Sequence, residues 1–149
     1  MKFVYKESLN KEQKSRILKL WNQEYPQKLF LSDQTALEEY LQGLNDKHHI
    51  LLCDDQDVVK GWLLYFIRDG ERCFAMILDA SIQGQGWGSK LLDEAKKSNY
   101  ELNGWVIDHN TELKANGETY HSPTIFYEKN GFRVLRKNIT IKKDIKGIK

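Results

Sequence analysis

The segment Gln83-Gly84-Gln85-Gly86-Trp87-Gly88 carries the clearest chemical pattern in the chain. Gly84, Gly86 and Gly88 alternate between the end of a strand-like apolar segment and the start of a helix-like one. Alternating glycines permit positive φ and let the main chain approach a ligand with no Cβ in the way. Successive N–H groups then turn into one concavity, reinforced by the positive end of the helix dipole. Such a cradle suits a pyrophosphate, with Ser89 and Lys90 just inside the helix. Two familiar phosphate loops fail on spacing. A Walker A loop has four residues between its glycines and then Lys before Ser or Thr. Here three residues separate Gly84 from Gly88, and Ser89 precedes Lys90. A dinucleotide loop, G-x-G-x-x-G, needs its third glycine one residue later and follows the first strand of its unit.

Few other side chains carry a pattern of their own. Cys53 and Cys73 lie in strand-like segments without an activating motif, which reads as buried reduced thiols. No Cys or Ser has the neighbours of a covalent acyl carrier. His48-His49 has no Cys, His or acid at ligand spacing, so no metal site is expected. Trp62 and Trp105 read as core residues. Lys142, Lys143, Lys146 and Lys149 alternate in part with isoleucines, as on the wet face of an edge strand.

The elements that must position the loop follow from periodicity. Residues 2–7 read as a first strand. Ser8 or Asn10 caps a helix with Ile17, Leu18, Leu20 and Trp21 as its apolar stripe, and Pro26 stops it. Ser32 or Asp33 caps a second helix through about Leu44, where Leu37, Tyr40, Leu41 and Leu44 recur at helical spacing. Residues 49–53 form a short continuous apolar run, as in a strand covered on both faces. A turn at 54–57, a strand at 58–67, an Asp69-Gly70 hairpin turn and a strand at 72–80 complete a meander. A helix from about Gly88 buries Leu91, Leu92 and Ala95, and 104–108 is a further strand. Ser122 as N-cap and Pro123 at the first helical position open a helix that carries Ile125, Phe126 and Tyr127. Asn130-Gly131 ends it, and 132–135 and 139–145 read as the last strands. The order β-α-α-β-β-β-α-β-α-β-β predicts an α/β fold, a mixed sheet with helices on both faces.

At 149 residues and 17.5 kDa the chain is sized for a single domain, 1–149, with a substantial core. Its 40% hydrophobic residues, with four Trp, seven Tyr and six Phe, exclude a mainly disordered chain. The 23 basic and 21 acidic residues nearly cancel, which gives no charge argument for a nucleic-acid partner. No apolar run approaches the ~18 residues that span a bilayer. Met1-Lys2-Phe3-Val4-Tyr5-Lys6 lacks the apolar core of a secretion signal. A cytoplasmic protein with no membrane partner is expected.

Gln83-x-x-Gly86-x-Gly88 resembles the Q/R-x-x-G-x-G/A pyrophosphate loop of the GNAT superfamily of N-acetyltransferases. Phe126-Tyr127-Glu128-Lys129-Asn130-Gly131-Phe132 is similar to the F-Y-x-K-x-G-F segment of that superfamily. The resemblance covers residues 45–135 well and the first 45 only by element order. It implies a GNAT-like, mostly antiparallel central sheet and acetyl-CoA as co-substrate, with no metal. The implied reaction moves an acetyl group to a small-molecule or peptide amine acceptor by direct transfer in a ternary complex. A non-catalytic acyl-CoA sensor on the same fold is the alternative, and the family allows a homodimer.

Roles carry over from the resemblance position by position. The backbone around Leu78 and Ala80 would bind the pantetheine arm, in a V-shaped gap between this strand and the strand 104–108. The N–H groups of Gln83, Gly84, Gln85, Gly86, Trp87 and Gly88 would hold the pyrophosphate, with Ser89 and Lys90 at its edge. An N–H around Leu78 would stabilise the oxyanion of the transfer step. Tyr127 matches the tyrosine that protonates the departing thiolate. For the base, counting back from Gln83 reaches Arg72 with Glu71 beside it; Asp108, His109 and His121 are rivals, as is a water relay. The family's frequent Asn seven residues before the tyrosine is Tyr120 here, and Asn110 is a candidate substitute. The long segment 108–121, with its Asn116-Gly117 turn signal, is expected to shape the acceptor pocket with Tyr25, Pro26 and residues 29–33.

Overall fold

The computed structural model describes residues 1–107, 109–137 and 140–144, with side chains through residue 134. Asp108, a candidate base, lies outside the described residues, as do Lys146 and Lys149. The elements run β1 (Lys2–Lys6), α1 (Lys11–Glu24), α2 (Gln34–Gln42), β2 (Asn45–Cys53), β3 (Val59–Arg68) and β4 (Glu71–Leu78). After these come α3 (Trp87–Lys96), β5 (Asn103–Ile107), α4 (Thr124–Lys129), β6 (Arg133–Lys137) and β7 (Thr140–Asp144). This is the predicted order, with short 3₁₀ turns added at Gln27–Leu29 and Ala80–Ile82.

Local chemistry explains the boundaries. Asn10, not Ser8, starts α1, because it and Gln13 form a reciprocal capping box. Asp33 rather than Ser32 caps α2, by accepting from the Ala36 amide at 2.9 Å. Gly43 ends that helix short of Leu44, whose amide turns back to the Leu41 carbonyl. At α4 the N-cap is Pro123, one residue later than expected, since the Ser122 hydroxyl pairs with that of Thr124 at 2.6 Å. The β3–β4 turn holds Asp69 at φ 52° and Gly70 at φ 74°, the conformation an Asp-Gly hairpin requires.

The described strands form one sheet in the order β1-β2-β3-β4-β5-β7-β6. Every pairing is antiparallel except β4 with β5, which run parallel. β7 therefore lies between β5 and β6, so its lysines are not on an edge strand as the alternation suggested; β6 is the edge. The alternation of β3 divides the core between the two faces. Trp62, Leu64 and Phe66 pack with Ile17, Leu20, Trp21, Leu37 and Leu41 of α1 and α2. Leu63 packs with Leu91, Leu92 and Ala95 of α3 and with Phe74, Tyr127 and Phe132. The Trp62 ring is fully buried and its indole N–H donates to His49 Nδ1 at 3.0 Å. Among the described residues no helix is long and apolar enough to cross a membrane.

Candidate active site

β4 and β5 meet at a single pair, Cys73 with Asn103, and diverge beyond it. The Asn103 side chain secures that point by donating to the Arg72 carbonyl at 3.1 Å. Past it the sheet opens into a cleft of about 1090 Å³. The cleft is lined on one face by Gly84, Gly86, Gly88, Ser89, Phe126 and Tyr127 and on the other by Trp21, Tyr25, Leu31, Tyr40 and Phe66. A ligand threaded between the two strands would reach both sides of the sheet.

The glycine loop closes one end. Gly84 and Gly86 have φ of 75° and 86°, and a Cβ built on either meets nothing within 4 Å. Gly88 serves a different purpose: its Cβ would stand 2.8 Å from the Phe126 ring and 3.2 Å from Leu78. It is glycine so that α3 can pack closely, not because its backbone is unusual. The first bond of α3 runs from the Lys90 amide to the Gly86 carbonyl at 3.2 Å, and no side chain caps the helix. The amides of Gly84, Gln85, Gly86, Trp87, Gly88 and Ser89 thus find no acceptor among the described residues. Such a row of unsatisfied donors at a helix start fits a pyrophosphate. The Gln83 amide does not belong to it, because it closes the 3₁₀ turn onto the Ala80 carbonyl at 3.3 Å. The Gln83 side chain instead donates to the Leu78 carbonyl at 3.0 Å. Gln85 likewise turns away, toward the Ser81 carbonyl, and the Lys90 ammonium lies over the Trp87 ring at 4.4 Å.

β4 stops at Leu78, two residues short of the predicted end. Asp79 accepts from the Ser81 amide at 2.9 Å and starts the 3₁₀ turn, while its own N–H goes to the Lys60 carbonyl. Ala80 accordingly sits in the turn rather than on the strand, with its N–H donated to Glu24 Oε2 at 3.1 Å. The backbone left to face the gap is that of Met76, Ile77 and Leu78, all cleft-lining.

Glu24 and Lys114 are the residues the sequence did not reveal. Glu24 Oε1 lies 3.2 Å from the Lys114 ammonium and accepts from Gln83 Nε2 at 3.4 Å, and its side chain is only 10% exposed. The carboxylate joins the end of α1, the turn after β4 and the segment between β5 and α4. That segment folds as a small hairpin in which Leu113 pairs with Thr119 and Gly117 takes φ 86°. It docks on the loop after α1 through a Pro26–Lys114 bridge and a Lys28–Glu112 ion pair at 3.2 Å. The structure therefore brings together the predicted pocket-forming residues, including Tyr25, Pro26, Tyr120 and His121, along one cleft.

Tyr127 is buried, and it both packs and lines the cleft. Its ring lies 5.1 Å from those of Phe126 and Phe132 and 5.7 Å from that of Phe74. Burial, helped by nearby Tyr120, holds its hydroxyl well above the ordinary range, so it stays protonated. Burial pushes Tyr120 up to about 12. Glu71 is not in this company. It stands exposed at the β3–β4 turn, opposite Arg68, and does not line the cleft. His109 is tied to Thr111 at 2.6 Å, and Asn110 accepts from the Ser122 amide at 2.8 Å. Trp105, expected in the core, is 58% exposed and lines the cleft mouth. Among the described residues no group of three or more His, Cys, Asp or Glu gathers as a metal site.

The family model described as the Acetyltransferase (GNAT) domain matches residues 45–134. The solved aminoglycoside 6'-N-acetyltransferase from Enterococcus faecium has 17% sequence identity and a TM-score of 0.69, over 97% of this chain and 96% of its own. A variant of the spermidine N-acetyltransferase from Vibrio cholerae has 17% identity and a TM-score of 0.65, over 97% of this chain and 94% of its own. Likeness at this level of identity is likeness of fold. No curated protein sequence matches the chain significantly.

Proposed function

The chain belongs to the GNAT acetyltransferase family, and on that premise we propose that it moves an acetyl group from acetyl-CoA to an amine acceptor in one ternary complex. The observation that carries this reading is the run of six unpartnered amides, Gly84 to Ser89, at the end of a cleft that passes between β4 and β5. Bound acetyl-CoA supplies the activated acyl group. The loop amides hold its pyrophosphate with fixed dipoles that need no reorganisation. The backbone of Met76, Ile77 and Leu78 lies where an extended arm would pair with an unfilled strand edge. Tyr127, kept neutral by burial, gives its proton to the sulfur as charge develops there. Glu24 acts as a positioning residue, because Lys114, Ala80 and Gln83 hold its oxygens. Glu71 stands outside the cleft, so water there, alone or through the cleft-lining His121, takes the amine's proton and returns one to Tyr127. The fold neighbours are named for small-molecule amines, an aminoglycoside and spermidine, which supports an amine as acceptor.

The test pairs binding with turnover. Calorimetry should show CoA binding to the wild type and none to folded Gly86→Glu, whose carboxylate enters the cradle. Thiol release from acetyl-CoA should rise with a suitable amine. CoA binding without release on any amine would favour the sensor, and unchanged CoA affinity in Gly86→Glu would remove the loop from the site.

A further inference from the structure

The acceptor side of the cleft has a charge pattern of its own. The cationic residues on its lining are Lys28, Arg68 and Lys114 among the described residues, against one carboxylate, Glu24. Glu24 is already paired with Lys114, and Lys28 with Glu112. Arg68 makes no ion pair or side-chain hydrogen bond among the described residues. Its guanidinium lies over the Phe66 ring, 5.2 Å from the centroid, and the residue is exposed and lines the cleft. It cannot serve the pyrophosphate. In the β3–β4 register Arg68 faces Glu71, while Leu78, next to the loop, faces Gly61 at the other end of the hairpin. Between these ends the wall is apolar and aromatic, made by Trp21, Tyr25, Leu31, Tyr40 and Phe66.

We propose that the acceptor is an elongated primary amine with an apolar middle and an anionic group at its far end, bound by Arg68. The proposal rests on the acetyl-transfer reading and adds the acceptor's class to it. Register supplies a ruler. Arg68 folds back to the level of Phe66, which pairs with Cys73, whereas the Tyr25 hydroxyl marks the level of Met76. Three strand residues separate those levels, about 10 Å at ~3.3 Å per residue. A simple α-amino acid is too short to bring its amine even to the level of the Tyr25 hydroxyl while its carboxylate rests on Arg68. A polycationic amine would set a second positive charge beside an unneutralised guanidinium in a half-enclosed cleft, which costs more there than in water.

The experiment compares ω-amino-octanoate, the diamine of equal length and octylamine. Acetyl transfer from acetyl-CoA is measured for each, and in parallel the binding of each to the CoA-free chain. The carboxylated amine should exceed the diamine by about tenfold in both readouts, the yield of one charge-assisted contact. Arg68→Gln should bring the ratio to within about threefold, as for a screened residual field. Arg68→Glu should invert it, and neither variant should change CoA affinity, because the loop is remote. A wild type that is indifferent or prefers the diamine overturns the proposal, as does a preference that survives Arg68→Gln or the binding of none of the three amines. Failure of transfer from every amine would count against acetyl transfer alone, since the binding ratio still decides the role of Arg68.

Discussion

Gly86 and Gly88 stand two residues apart and tolerate a side chain differently. At Gly86 the left-handed backbone, φ 86°, makes any L residue cost about 1–2 kcal/mol. The Cβ itself would point into empty space, which is the space a phosphate would take. At Gly88 the backbone is ordinary, but the Cβ would press on the Phe126 ring at 2.8 Å. Gly86→Ala should therefore keep most of its stability in urea melts while CoA affinity falls at least about tenfold for loss of charge-assisted contacts. Gly88→Ala should lose about 1–3 kcal/mol of stability as an overpacked site. If both variants lost affinity equally with no loss of stability, the division of roles would be wrong. For Tyr127→Phe, kcat should fall by about a hundredfold, the usual size of a positioned proton donor. CoA affinity and urea stability should barely move, because the ring contacts with Phe74, Phe126 and Phe132 persist. Loss of stability with unchanged kcat would make Tyr127 a packing residue only. Both positions were legible in the sequence because glycine spacing and an aromatic pair before Asn130-Gly131 are local patterns. The reason for Gly88 was not, since it depends on Phe126 arriving from another helix.

The end of α1, the turn after β4 and the hairpin at 113–119 form a unit joined by one carboxylate. Glu24 and Lys114 are 90 residues apart in the chain, and nothing in the spacing of either marks a partner. The turn of the hairpin was legible from Asn116-Gly117, but its docking against Pro26 was not, because a two-residue turn signal does not say where the arms go. The same limit applies to Glu71. Counting along a strand places a residue at a level, but the exposed β3–β4 turn puts Glu71 outside the cleft. Replacing Glu24 with Ala leaves Lys114, 17% exposed, without its counter-charge and frees the Ala80 amide. The expected loss is about 3 kcal/mol. The double variant Glu24→Ala/Lys114→Ala should cost less than the sum of the singles, because it leaves no uncompensated ammonium. Equilibrium unfolding of the three variants measures this. Additive losses would show that the pair is not coupled, and would remove Glu24 as the link that shapes the loop.

At the scale of the molecule, the order of elements was legible because each strand and helix announces its own period. The opening between β4 and β5 was not read from that periodicity; it came from the family resemblance and is visible here as a parallel pair that meets once. A sheet opened at its centre relies on the intact hairpins beside it, and β2–β3 holds a titratable group at its heart. His49 is 2% exposed, and its ring accepts from the Trp62 indole. Burial, with Lys47 and His48 adding positive charge nearby, lowers its pKa from 6.5 to about 4. The sign follows from proton counting. Between pH 6.5 and about 4 the unfolded chain carries a proton on His49 that the folded chain refuses, so stability falls as pH falls through that window. The loss approaches about 3 kcal/mol and is complete near the folded value. Asp46, Asp54 and Asp79 are instead held below 3.8, so their contributions are lost only at still lower pH. The two effects therefore separate in a pH series of urea melts. His49→Gln, which keeps an acceptor for the indole but cannot titrate, should be nearly flat from pH 6.5 to 4 and should still lose stability below it. An unchanged slope in the upper window would mean that the acid sensitivity of the fold has another source and that His49 takes up a proton in the folded chain as readily as in the unfolded one.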